Sequence, residues 1–192
     1  MLNKKSIKEL INFSNEEISR IIKDQNFISK IEFLYNMIAF NIANTQKIFF
    51  CANGGSAANA DHIVNDFNLS IFKNNKNVVC ESLTSNSAVL TCFANDFGYE
   101  NIFSNQIDIK CDQNSLVIFM TGSGNSKNII KGILRCIEKK INYFLIVGFD
   151  GGECKKISNS NNILHLQTND MQACENVQLI IGHVLMQKLL NY

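Results

Sequence analysis

No run of about 18 apolar residues occurs in this sequence of 192 residues, so nothing in it reads as a membrane span. The opening MLNKKSIKEL carries lysines but neither an apolar core nor a small-residue cleavage site, which argues against a secretory signal. Charge of one sign is also missing: 18 basic residues face 17 acidic ones, for a formal net charge of +1. No broad field is available to draw nucleic acid or an anionic membrane, so any anion site has to be local. Proline and tryptophan are absent. Like the abundance of Asn, Lys and Ile, that says little about chemistry. The seven cysteines, at 51, 80, 92, 111, 136, 154 and 174, form no close pairs and no zinc-finger spacing. An odd, scattered set with mostly apolar neighbours is expected to be reduced core thiols in a cytoplasmic protein.

What is present fits one domain over residues 1–192, since typical domains run to about 100–200 residues. The apolar fraction of 46% and charged fraction of 18% are ordinary for a globular chain. Apolar residues recur at helical spacing over 5–24 (Ile7, Leu10, Ile11, Ile18, Ile21, Ile22) and 27–45 (Ile31, Leu34, Ile38, Ile42), with Ser14 or Asn15 a candidate break in the first. Five short apolar runs follow: KIFFC (47–51), NVVC (77–80), SLVIFM (115–120), NYFLIVGF (142–149) and NILHL (162–166). Helix-patterned stretches lie between them near 56–68, 86–95, 99–110 and 126–139, and a last one covers 171–190. Alternation of this kind predicts βαβ units and a parallel sheet, and continuous apolar strands predict that both sheet faces are covered. The core then occupies 47–192. The helices of residues 1–46 are surplus to covering that sheet and are expected to pack against another subunit.

Ligands of open parallel sheets bind beyond the carboxyl ends of the strands. Two loops stand out there. Ala52-Asn53-Gly54-Gly55-Ser56 follows the first strand, and Thr121-Gly122-Ser123-Gly124-Asn125-Ser126 follows the third and precedes the helix KNIIKGILRCI. The second has the parts of a phosphate cradle: glycines that let an anion approach the backbone, three hydroxyls, and the free N–H groups of a helix N-terminus. It is neither a Walker loop nor GxGxxG. A plain Ser/Gly turn, with Ser126 as the helix N-cap, accounts for the same letters.

Only three histidines occur. His62 and Asp66 stand four apart and share a helix face. Glu175 and His183 stand eight apart on the last helix, on roughly one side. His165, inside NILHL, reads as a strand residue without a role. An i, i+4 His/carboxylate pair is a common structural pair. The position of His62, just after a Gly-Ser loop at the ligand edge, favours chemistry.

The motifs NGGSAANADH, LTSNSAVLTCFANDFGYENIFSNQI, TGSGNSKNIIKGI and IIGHVL together resemble the phosphoheptose isomerases of the sugar isomerase (SIS) domain family, from about residue 28 onward. The resemblance implies a three-layer αβα sandwich around a five-stranded parallel sheet, assembled as a homotetramer with active sites between subunits. It implies the conversion of sedoheptulose 7-phosphate to D-glycero-D-manno-heptose 7-phosphate, a first step toward the heptoses of lipopolysaccharide or capsule. By motif, Asn53, Gly54, Gly55, Ser56, Asn95 and Asp96 would touch substrate. Thr121, Gly122, Ser123 and Ser126 would hold its phosphate. His62, Asp66, Glu175 and His183 occupy the family's zinc-ligand and acid/base positions, with Asp66 and Glu175 also facing substrate. The chain departs from the family pattern at Asp66 (usually Glu), Glu175 (usually Gln), Asn176 (usually Glu), Ser70 (usually Arg) and in Thr121-Gly122-Ser123 (usually Ser-Thr-Ser).

For an aldose–ketose isomerisation through an enediol, Asp66 is the expected base and His183 the acid. Such a base has to be partly withdrawn from water to work near neutral pH. Two histidines and two carboxylates also suit a zinc-like ion. Two other readings share the architecture: an isomerase of a different sugar phosphate, and a non-catalytic SIS-domain module that binds a protein partner, like replication-initiator-associating proteins.

Overall fold

The structure is a computed structural model that describes residues 6–190. Five parallel strands form its sheet: β1 (Ile48–Ala52), β2 (Cys80–Ser82), β3 (Leu116–Thr121), β4 (Asn142–Val147) and β5 (Ile163–His165). Their order is β2-β1-β3-β4-β5. The chain leaves β1 toward β2 and then returns to place β3 on the other side of β1. That reversal makes a crevice at the carboxyl ends of β1 and β3.

Alternating strand residues point to opposite faces, and both faces are dry. Ile48, Phe50, Leu116, Ile118, Phe144 and Ile146 pack on one side with residues of α2 (Phe27–Ala43), α3 (Gly54–Lys73) and α8 (Met171–Leu189). Phe49, Cys51, Val117, Phe119 and Leu145 pack on the other with α5 (Ile102–Lys110), α6 (Lys127–Lys139) and Cys154 of α7 (Gly152–Ile157). The expected parallel sheet covered on both faces is therefore observed. Among the described residues no helix is long and apolar enough to cross a membrane.

Four boundaries differ from the expectation. α1 (Ile7–Ile22) runs unbroken through Ser14 and Asn15, started by a capping box between Ser6 and Glu9; residue 5 lies outside the described residues. β2 sits at 80–82, not 77–80, because pairing with Ile48–Phe50 fixes this edge strand. β4 ends at Val147, and the short α7 follows it. The Gly-Gly-Ser segment is not a turn before a helix: Gly54 and Gly55 are the first turn of α3, with extended Asn53 as N-cap and Gly54 at φ +56°.

α2 buries Leu34, Ile38 and Ile42, as their spacing predicts. α1 buries only Ile21, leaving Ile7, Leu10 and Ile11 more than half exposed. α4 (Ser87–Phe97) buries none of its residues.

Candidate active site

The loops after β1 and β3 meet in a cleft of about 210 Å³ lined by Asn53, Gly54, Gly55, Ser56, Thr121, Gly122, Ser123, Ser126 and Glu175, with Met120 and Met171. A larger cavity of about 590 Å³ lies elsewhere, around Glu17, Arg20 and His165. The smaller one sits at the β1/β3 reversal, and for that physical reason it is the better ligand site. Nine residues singled out from the sequence converge there.

Each loop is shaped by its own chemistry. In the β3 loop, Gly124 adopts φ +67°, and its N–H donates to Thr121 Oγ1 at 3.3 Å. The Asn125 N–H donates to Ser123 Oγ at 3.2 Å. Ser126 stands at the N-cap of α6 but makes no side-chain cap bond. Its hydroxyl is therefore left for a ligand, together with the first N–H groups of the helix. The two loops are stapled by a reciprocal amide pair. Asn53 Nδ2 donates to Asn128 Oδ1 and Asn128 Nδ2 donates to Asn53 Oδ1, each at 2.8 Å. Tyr99 adds a hydroxyl donated to Asn53 Oδ1 at 3.0 Å. Asn128, Tyr99 and the Met171 wall were not anticipated. Tyr99 lies inside the LTSNSAVLTCFANDFGYENIFSNQI motif, and a polar Asn128 in the first turn of an apolar helix is the available signal for the other staple.

A second constellation lies farther along the same helices. His62 and Asp66 on α3 and His183 on α8 bring three donor atoms within 4.8 Å of one another. His62 Nε2 is 3.0 Å from His183 Nε2, and Asp66 Oδ2 lies 3.6 Å from the first and 3.8 Å from the second. Ligand pairs around a tetrahedral zinc with bonds of about 2.0–2.1 Å are separated by about 3.3–3.4 Å. Two imidazoles and a carboxylate at these spacings fit such an ion. Asp66 is the most sheltered of the three, with a side chain 17% exposed against 50% for His62 and 42% for His183. Its other oxygen, Oδ1, accepts from Asn65 Nδ2 at 3.4 Å.

Glu175 lies outside that group. Its carboxylate rests on Gly55, where a Cβ would collide with it, and its backbone carbonyl accepts from Asn59 Nδ2 at 2.9 Å. The pairs Gly55/Glu175 and His62/His183 show that α3 and α8 run side by side in the same direction. Seven to eight residues of helix separate the two pairs, or about 11 Å at a rise of about 1.5 Å per residue. Asn95 and Asp96 do not line the cleft. They sit on exposed α4, bonded to each other at 2.8 Å.

Comparison with known proteins finds relatives over nearly the whole chain. The SIS domain family profile matches residues 11–144. The phosphoheptose isomerase of Sulfurimonas denitrificans is 32% identical over 182 residues, covering 95% of this chain and 92% of the relative. That of Clostridium acetobutylicum is 30% identical, with coverage of 95% and 92%. Among solved structures, a phosphoheptose isomerase from Neisseria gonorrhoeae superposes with a TM-score of 0.86 at 20% identity, covering 97% of this chain and 100% of that one. One from Francisella tularensis gives 0.87 at 19% identity, covering 97% of each. At those identities the superpositions establish the fold.

Proposed function

This chain belongs to the phosphoheptose isomerases of the SIS domain family, and from that premise we propose that it converts sedoheptulose 7-phosphate to D-glycero-D-manno-heptose 7-phosphate. One observation carries the reading. Gly55 and Glu175, which line the cleft of the hydroxyl-bearing anion nest, precede His62 and His183 of the His-Asp-His group by about two turns on the parallel helices α3 and α8. Held by its far end at Thr121, Ser123 and Ser126, a seven-carbon sugar phosphate would extend its C1 and C2 toward Asp66 and His183.

In this reading the Asp66 carboxylate removes a proton from C1 of the ketose. The C–H electron pair becomes the C1=C2 bond of the enediol, and the C2 oxygen takes a proton from His183. The C1 hydroxyl then returns its proton to His183, and Asp66 returns the carbon-bound proton to C2, leaving an aldehyde at C1 and both residues in their starting states. General acid–base help of this kind is worth about 10²–10⁴-fold, and holding the sugar by its phosphate adds a positioning gain. As an alternative to the proton-donor role of His183, and with no proton then on His183 Nε2, His62, Asp66 and His183 would hold a zinc-like ion through Nε2, Oδ2 and Nε2. When bound it would supply Lewis-acid polarisation of the carbonyl. With Oδ2 facing the two imidazoles, Asp66 Oδ1, which accepts from Asn65 Nδ2 at 3.4 Å, would be the oxygen that takes the proton.

The whole chain acts as one SIS domain in the cytoplasm, and its product feeds heptose supply for a surface polysaccharide. It works as a homotetramer: the exposed apolar face of α1 and the unburied α4 support subunit contacts, and Asn95 and Asp96 would serve a neighbouring subunit's cleft. A coupled assay with sedoheptulose 7-phosphate, run beside pentose and hexose phosphates and with and without chelator, tests the reading. Turnover of the heptose phosphate above the others is expected. Preference for a shorter sugar would replace the substrate, and no turnover of any would replace the enzyme with a binding module.

A further inference from the structure

His165 ends β5 and is half-buried, away from the lining of the candidate cleft. Both of its ring nitrogens are engaged. Nδ1 is 3.1 Å from Lys155 Nζ, and Nε2 is 2.8 Å from the carbonyl oxygen of Phe149. A lysine ammonium only donates and a carbonyl only accepts. Nδ1 therefore accepts from Lys155, and the Nε2–H donates to Phe149.

Phe149 is held in the left-handed region at φ +48°, a conformation that bulky residues adopt only where surroundings impose it. Its own N–H donates to Thr168 O at 2.8 Å. Both polar groups of this residue are thus tied to the β5–α8 segment, and the imidazole is one of the two ties.

The segment anchored at Phe149 forms the back wall of the anion nest. The Gly148 N–H donates to Thr121 O at 3.1 Å, and the Cys154 N–H donates to Gly124 O at 2.9 Å. The Glu153 N–H donates to Asn125 Oδ1 at 3.0 Å. The backbones press together so closely that a Cβ on Gly124 would fall on Gly151 O, and one on Gly152 would meet Ser123 O. The Phe149 ring approaches Gly122 as well, with Cε2 at 3.4 Å from where a Cβ would stand. Every residue of the loop from 121 to 125 is therefore backed by residues 148–154.

We propose that His165 is a positioning residue for phosphate binding, holding Phe149 so that residues 148–154 keep the 121–126 nest in its anion-binding shape. The inference rests on the reading of that nest as the phosphate site. It gives a role to a histidine whose sequence context suggested none, and it acts through backbone, without contact to substrate.

The test compares three variants by calorimetric binding of inorganic phosphate to the full chain. His165→Ala and His165→Asn are expected to weaken phosphate about tenfold, the scale of one lost hydrogen bond. Asn is too short to reach Phe149 O while still able to accept from Lys155. His165→Gln places an amide N–H where Nε2–H was, and is expected to bind within about twofold of the parent protein. With sedoheptulose 7-phosphate, the Ala and Asn variants should raise KM by a similar factor and leave kcat within about threefold. If His165→Ala does not fold, the Gln/Asn pair decides, because the two differ only in reach. Equal phosphate affinity in Gln and Asn variants would overturn the proposal. A parent protein that binds phosphate with this ranking yet turns over no sugar phosphate would leave the role of His165 standing and remove the isomerase reading instead.

Discussion

The Nε2 atoms of His62 and His183 face each other at 3.0 Å, one carried by α3 and the other by α8. Their rings stand nearly perpendicular, at 75°, with centroids 5.2 Å apart. At most one of these nitrogens can carry a proton between them, and Asp66 Oδ2 closes the triangle. Three lone-pair donors converging from two half-exposed imidazoles and a more sheltered carboxylate predict one zinc per chain, measurable as bound metal after dialysis. His183→Ala should weaken zinc by more than about 100-fold, since even outer-shell partners of a metal site cost about 10–100-fold. If the parent protein retains no zinc and turns over fully in chelator, the group is an acid–base pair alone.

Asp66→Asn keeps the shape and hydrogen-bonding width of the side chain while removing its basicity. Asp66 is among the more sheltered members of the site but lies outside the hydrophobic core. The thermal midpoint should therefore shift by no more than a few degrees. Turnover should fall by about 10²–10⁴-fold, the usual value of a general base. Exchange of the C1 hydrogen of sedoheptulose 7-phosphate with deuterated solvent should fall with it. Exchange at the parental rate would take the base role away from Asp66.

Much of this arrangement was legible beforehand, for identifiable reasons. Ile129, Ile133 and Cys136 repeat at helical spacing and are all fully buried in α6, and LVIFM is apolar throughout because β3 is covered on both faces. The anion nest was legible because its residues are consecutive and follow a strand. α7 was not, because GECKKI is six residues long and has no periodic face. The Asn53–Asn128 staple was invisible because it spans 75 positions of sequence and depends on β1 and β3 being neighbours. Glu175 shares a helix side with His183, but helix spacing says nothing of χ angles, and its carboxylate ends against Gly55.

That placement of Glu175 makes a separable prediction. Its carboxylate lines the same cleft as Thr121, Ser123 and Ser126, and so sets negative charge beside a bound phosphate. Two like charges about 4 Å apart oppose one another by about 1 kcal/mol even at the dielectric of bulk water. Glu175→Gln should therefore lower KM for the sugar phosphate about fivefold. Zinc content should not change, because the three converging donors do not include residue 175. Loss of zinc with unchanged KM would instead assign Glu175 to the metal.

The cysteines give a prediction about alkaline stability. All seven are free. Burial pushes the thiols of Cys80, Cys154 and Cys174 up to about 12, and raises those of Cys51 and Cys136 as well. An unfolded thiol ionises near 8.5. Between about pH 9 and 12 the unfolded chain has lost these protons while the native chain keeps them. The unfolded state then binds fewer protons than the native one, so stability falls as pH rises. The contribution is fully present below the unfolded value and declines by on the order of 1 kcal/mol per buried thiol for each pH unit above it. Urea midpoints should therefore hold steady from pH 7 to 8 and drop steeply from 9 to 10.5. Cys174→Ala should flatten that drop even where its cavity lowers the midpoint at pH 7. At pH 8 a thiol with a value near 12 is ionised about once in ten thousand molecules. Native protein should accordingly show one fast thiol toward a disulfide reagent, the exposed Cys92, and all seven only after denaturation. Several fast thiols in the native state would mean that the layers around the sheet open more readily than their packing implies.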